Sequence, residues 1–231
     1  GSGSGLPNAT TFTSQPKITI QDEDGNTCTG IDATANVVAS MSNGLSGTTT
    51  VAAVGGVATF TDLKYTGLIG TKTLTYTIQS TSITNSETFT SVAGTATKIG
   101  FGQQAAGAVN GVAWTTQPKI LIQDVSGNTV TSATDSVTIG VSTGPTFTGT
   151  KTVAASAGEA TFSGLTLTGT IGTFTLTYTS GSLTGTSQDI VLAVGAASKL
   201  AIKTQALGFV NRTDFTTQPE IYIQDQSGNT V

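Results

Sequence analysis

The chain has 231 residues and a net charge of −4, with only 10% charged side chains, one cysteine and no histidine. That balance excludes a basic footprint for nucleic acid, an internal disulfide, and the commonest general base and transition-metal ligand. No run of 18 apolar residues is present to form a membrane-spanning helix.

Gly1–Gly5 reads as a linker or processed end. After a lead-in over Leu6–Ser14 comes Gln15-Pro-Lys-Ile-Thr-Ile-Gln-Asp-Glu-Asp-Gly-Asn-Thr27. Proline opens a strand, where its missing N–H costs least, and Ile18 and Ile20 share one face. Asp-Gly-Asn supplies residues that tolerate positive φ, so a hairpin turn is expected there. The stretch returns at Gln117 and at Gln218, 102 and 101 positions on, which is a domain-sized repeat. Each copy is expected to bury its isoleucine pair: Ile18 and Ile20, Ile120 and Ile122, Ile221 and Ile223. Asp22–Asn26 also carries oxygens at alternate positions, as calcium loops do. The other copies have Val125-Ser126 and Gln226-Ser227 there and no distal glutamate follows, so the turn is the first reading and a weak calcium site the second.

Further strands are expected at Ala35–Met41, Thr48–Val54, Val57–Tyr65, Thr71–Ile78 and Ser86–Val92, with a turn at Gly44–Gly47 and a break at Gly55-Gly56. Residues 98–197 match this pattern position by position. Val51-Ala-Ala aligns with Val153-Ala-Ala, Ala58-Thr-Phe60 with Ala160-Thr-Phe162, and Thr73–Thr77 with Thr175–Thr179. In Thr173–Thr179, Phe174, Leu176 and Tyr178 face one way and the threonines the other. Each such side chain contributes roughly 1.5–3 kcal/mol when fully buried, so a one-residue register slip is heavily penalised.

The second copy begins with an extra strand at Lys98-Ile-Gly-Phe101, and the third repeats it at Lys199-Leu-Ala-Ile202. The first copy lacks it. The expected organisation is therefore residues 1–5 as linker, 6–97 as a first domain without its opening strand, 98–197 as a second domain, and 198–231 as a partial third. The fold class is all-β: tandem β-sandwiches of about seven strands each.

Cys28 stands where the later copies have Val130 and Val231, and so reads as a small core filler. Trp114 corresponds to Phe12 and Phe215 and reads as core, with sugar stacking as the competing reading. Asn8-Ala-Thr10 and Asn211-Arg-Thr213 fit the N-glycosylation pattern, in equivalent loops expected at the surface.

Together these stretches resemble the tandem bacterial Ig-like repeats of secreted and cell-surface proteins, including the invasin and intimin class. The resemblance carries Thr-Gln-Pro-Lys-Ile-x-Ile-Gln-Asp-x-Ser-Gly-Asn-Thr-Val, then Val-Ala-Thr-Phe, then Thr-Leu-Thr-Tyr-Thr. It implies that the fold is tandem immunoglobulin-like β-sandwiches, with an extracellular setting, on a cell surface or a virion, and a non-enzymatic role as rod, adhesin or filament component. It brings no catalytic residues and no cofactor. The partners expected are other copies of the chain, neighbouring Ig-like repeats, or host and surface glycans. One alternative is a filament subunit. Lys199, Leu200, Ala201, Ile202 and Lys203 would form a self-assembly strand, residues 199–206 filling the missing opening strand in domain 1 of the next subunit. A glycan-binding module is the other alternative.

Overall fold

The structure, a computed structural model, describes residues 5–30 and 35–231. All but the last residue of the Gly1–Gly5 stretch lies outside them. The described chain is all-β, and its contacts divide it into two units. Unit 1 is Gly1–Thr97 together with Gln123–Val130. Unit 2 is Lys98–Ile122 together with Thr131–Val231.

Unit 1 is an immunoglobulin-like sandwich. Its strands are β1 (Leu6–Pro7), β2 (Lys17–Thr19), β3 (Asn36–Ser40), β4 (Leu45–Ser46), β5 (Thr50–Ala52), β6 (Val57–Thr59), β7 (Lys64–Tyr65), β8 (Gly70–Ile78) and β9 (Thr84–Val92). One layer runs β1-β9-β8-β3-β5, and β2 pairs with β6 in the other. Period-2 alternation turns Val37 and Ala39 of β3 and Leu74 and Tyr76 of β8 inward, against Ile20, Ala58, Phe60 and Leu63. Cys28 is half-buried against this core, as a filler would be.

Two expected strands are corrected. The stretch Thr48–Val54 contributes only β5. The stretch Val57–Tyr65 is not one strand but two, β6 on β2 and β7 on β4. Phe60 and Leu63 are both fully buried. A spacing of three cannot put both on one face of a flat strand, so the chain bends between them. The Asp62 carboxylate holds the bend by accepting bonds from Thr48 N at 2.8 Å and Thr48 Oγ1 at 3.0 Å. The turn expected at Gly44–Gly47 contains β4.

Unit 2 repeats the design. Its strands are β10 (Lys98–Gln103), β11 (Ala108–Val109), β12 (Lys119–Gln123, its last residue counted with unit 1), β13 (Ser136–Val141), β14 (Thr146–Thr148), β15 (Thr152–Ala154), β16 (Glu159–Thr161), β17 (Thr166–Thr168), β18 (Gly172–Ser180), β19 (Leu183–Ala193), β20 (Lys199–Thr204) and β21 (Glu220–Gln224). The main path is β15-β13-β18-β19-β10-β12-β16. Leu176 and Tyr178 are buried and Phe174 half-buried. β10 covers the Tyr178 ring edge-on with Phe101, 5.4 Å between centroids. Gln188 exchanges two 2.9 Å bonds with the backbone of Ala105 just beyond β10. No counterpart of β10 exists among the described residues of unit 1. There, Ile18, Tyr76 and Glu87 line an open groove of about 190 Å³.

The isoleucine pair is buried in β12, where Ile120 and Ile122 are both inaccessible. In the first copy, Ile20, just past the end of β2, is buried and Ile18 within it half-buried. The third copy departs from expectation: Ile221 and Ile223 are 51% and 53% exposed. The cause is that β20 pairs with β21 alone, leaving a two-stranded sheet with no second layer among the described residues.

Candidate functional site

The repeated turn is built from its own side chains. In Asp124–Asn128, Gly127 N donates to Asp124 O at 3.1 Å and Asp124 N to Asn128 O at 3.0 Å. Gly127 sits at φ +87°, a left-handed conformation that L side chains resist. Asp124 Oδ1 accepts from Ser126 N at 2.9 Å and Asn128 N at 3.0 Å, which closes the loop on itself.

The closed loop, itself part of unit 1, presents a second set of groups outward, and the rest of unit 1 receives them. Asp124 Oδ2 accepts from Asn8 Nδ2 at 2.8 Å and Gly94 N at 3.0 Å. Asn128 Oδ1 accepts from Ile69 N at 3.0 Å, and Asn128 Nδ2 donates to Gly67 O at 2.9 Å. Asn8 completes the ring: its Oδ1 accepts from Gly67 N at 2.8 Å and its Nδ2 also reaches Ser126 Oγ at 2.9 Å. The turn is a plug, and Asn8, Gly67, Ile69 and Gly94 are its socket. Asp124 and Asn8 are 1% and 2% exposed, yet every polar atom of both side chains is bonded, as buried polar groups must be.

Unit 2 contains the same arrangement one repeat later. Asp225 Oδ2 accepts from Asn110 Nδ2 at 2.6 Å and Gly195 N at 3.0 Å. Asn229 Oδ1 accepts from Ile171 N at 3.1 Å, and its Nδ2 donates to Gly169 O at 2.9 Å. Asn110 Oδ1 accepts from Gly169 N at 2.9 Å.

Electrostatics follow from this geometry. Burial pushes the Asp124 carboxyl up, but bonds donated by Asn128, Gly94 and Asn8 outweigh it and hold its pKa below the ordinary 3.8. Asp225 is lowered by the same balance, with Asn110, Asn229 and Gly195 as donors overcoming burial. Both carboxylates stay charged and serve as fixed acceptors.

Asp22 Oδ1 accepts from Asp24 N, Asn26 N and Asn26 Nδ2, so its oxygens serve the turn itself. Among the described residues no group of three or more His, Cys, Asp or Glu is placed to hold a metal ion. Trp114 is buried and stacked on Phe147, with centroids 5.8 Å apart, so its face is closed to a sugar. Asn8 is corrected outright: its amide nitrogen is a buried socket donor, not an exposed glycan acceptor. Asn211 is exposed. Lys199, Leu200, Ala201, Ile202 and Lys203 all lie in β20, paired antiparallel to β21, with Leu200 71% and Ile202 59% exposed. Lys203 Nζ is 2.9 Å from Glu220 Oε2.

Sequence reasoning missed the socket. Its signal was present, since Asn8, Asn110 and Asn211 recur at the repeat spacing, as do Gly94 and Gly195. A shallow groove of about 560 Å³ in unit 1 is lined by Ser40, Met41, Ser42, Lys72 and threonines, with neither a carboxylate nor a thiol among them.

No family model matches the sequence, and neither does any curated protein. Among solved structures, a β-glycosidase from Bacteroides vulgatus is similar at 12% identity and a TM-score of 0.40, over 77% of this chain and 24% of that one. Invasin, a bacterial integrin-binding protein, is similar at 16% identity and TM-score 0.38, over 100% of this chain and 46% of that one. Domains 4 and 5 of the S-layer protein SbsC are similar at 18% identity and TM-score 0.30, over 79% and 81% of the two chains. This chain thus spans about a quarter of the glycosidase and under half of invasin. Likeness at this level bears on no activity or partner of this chain.

Proposed function

We propose that this chain is a non-enzymatic structural or adhesive repeat segment of an extracellular or cell-surface protein, working by mechanical continuity. The observation that carries the reading is the plug and socket, built twice from the same residue types, with matching bonds such as 2.8 and 2.6 Å at the Asn–Asp pair and 3.0 and 3.1 Å at the Ile N–H. The most elaborate polar constellation among the described residues is spent on joining one stretch of chain to another. Nothing in it is a nucleophile or a proton donor matched to a substrate.

Pulling the chain by its termini should give two separate unfolding events, one for each unit. Asp124→Ala should lower the force of one of them, because forced unfolding reports the unfolding rate. A chain that extends without resistance, or a variant that unfolds like the wild type, overturns the mechanical reading. Turnover in a panel of hydrolase and transferase substrates overturns the non-enzymatic part.

Strand donation by residues 199–206 to domain 1 of another copy has less behind it. Leu200 and Ile202 are exposed, which favours it. But Lys203 pairs with Glu220, and the position of Glu220 is held by Lys17 in β2. Exchange would trade an ion pair for two cations side by side.

A further inference from the structure

We infer that the exposed turn Asp22–Asn26 is a docking plug, whose partner is a socket of the kind made by Asn110, Gly169, Ile171 and Gly195 on a second copy of this chain, open to it only when that copy's own plug leaves. This rests on the mechanical reading above and names the partner of its joining device.

The first turn has the internal structure of the two seated ones. Gly25 sits at φ +84°, beside +87° at Gly127 and +91° at Gly228. Asp22 N donates to Asn26 O at 2.9 Å, Gly25 N to Asp22 O at 3.1 Å, and Asn26 N to Asp22 Oδ1 at 2.8 Å. Gln21 Nε2 reaches Gly25 O at 2.8 Å, as Gln123 reaches Gly127 O at 3.0 Å and Gln224 reaches Gly228 O at 2.8 Å. The loop is therefore folded into the docking shape before anything receives it, which lowers the ordering cost of docking.

What differs is the outward set. Among the described residues, the Asp22 and Asn26 side chains bond only within the turn, and both residues are exposed. Asp22 Oδ2 has room for two more donors, Asn26 Oδ1 for one, and Asn26 Nδ2 has a hydrogen to give. In the seated plugs those four valences meet an Asn amide, a Gly N–H, an Ile N–H and a Gly C=O. At these four valences the free turn and the socket match. Asp24 is the exception: it stands at the position of Ser126, whose Oγ accepts from Asn8, and of Ser227, whose Oγ donates to Asn110 Oδ1 at 3.2 Å, a bond that a carboxylate does not give.

In the wild-type chain the unit 2 socket already holds its own plug, Asp225–Asn229. Asp225→Ala with Asn229→Ala, made in the full chain, opens it. Sedimentation velocity should then show a weight-average mass rising with concentration to at least roughly twofold, and continuing upward because a head-to-tail contact need not close. Adding Asp22→Ala should return the monomer. A double variant that stays monomeric while folded overturns the proposal, as does association that survives Asp22→Ala. A second variant guards against simple unfolding. Gln226→Glu with Ser227→Asp gives the third turn the sequence of the first. The bond from Ser227 to Asn110 Oδ1 is lost, so the variant's melting temperature should fall by less than roughly half the drop of Asp225→Ala, and a larger fall shows that the first turn does not fit the socket. The pulling experiment does not involve Asp22, so failure here leaves the mechanical reading separately decidable.

Discussion

The turns at Asp22–Asn26 and Asp124–Asn128 have one skeleton, one left-handed glycine and one set of internal Asp–Asn bonds, yet the Asp and Asn of the first are exposed and those of the second buried. The local sequence makes the loop. A remote asparagine and a glycine N–H, 116 and 30 residues away from Asp124, make it a joint. The same lesson separates Ile122 from Ile223, which share a strand pattern but not a second layer.

The sharpest break of the comparison is Ile122→Ala, which should cost about 2–5 kcal/mol in urea denaturation because it leaves a cavity in a closed core. Ile223→Ala, exposed by half, should cost well under that. Next, Asp124→Ala strands Asn8 and Gly94 as buried donors and should cost on the order of 3 kcal/mol, whereas Asp22→Ala should leave the denaturation midpoint almost unmoved. Equal losses at the two positions would sink the distinction between seated and free turns.

Acid should act through the seated plugs. The folded pKa values of Asp124 and Asp225 are depressed, so their contribution is complete above the ordinary 3.8 and is lost as pH falls below it toward the folded values. Stability measured from neutral pH down to about pH 2 should therefore decline in that window. Asp124→Asn together with Asp225→Asn should flatten the decline. Smallest of all is Trp114→Phe. The Trp114 indole N–H is buried without a hydrogen-bond partner, and the other copies have Phe12 and Phe215 there. The lost unsatisfied donor should offset the lost ring volume, leaving the melting temperature within a few degrees of wild type.

Much of the sandwich was legible because strand alternation is a local, period-2 signal. Leu176 and Tyr178 declare their face within seven residues, and the copies of Gln-Pro-x-Ile-x-Ile agree with one another. The bend at Asp62 was not legible, because Phe60 and Leu63 reveal their common burial only once the other layer is in place. Nor was the socket. Asn8 looks like a modification signal beside Thr10, and nothing near it in the chain announces an aspartate more than a hundred residues on. What could have exposed it was the recurrence of Asn110 at the repeat spacing without a following threonine or serine. A glycosylation signal would not survive that change, while a structural amide does.

Since a single repeat brings along both the stopper and the hole that fits it, copying one stretch of coding sequence lengthens the array without any new surface having to co-adapt. Cutting the chain at Thr97 to isolate the first domain would, by contrast, amputate a piece of it that lies thirty residues downstream.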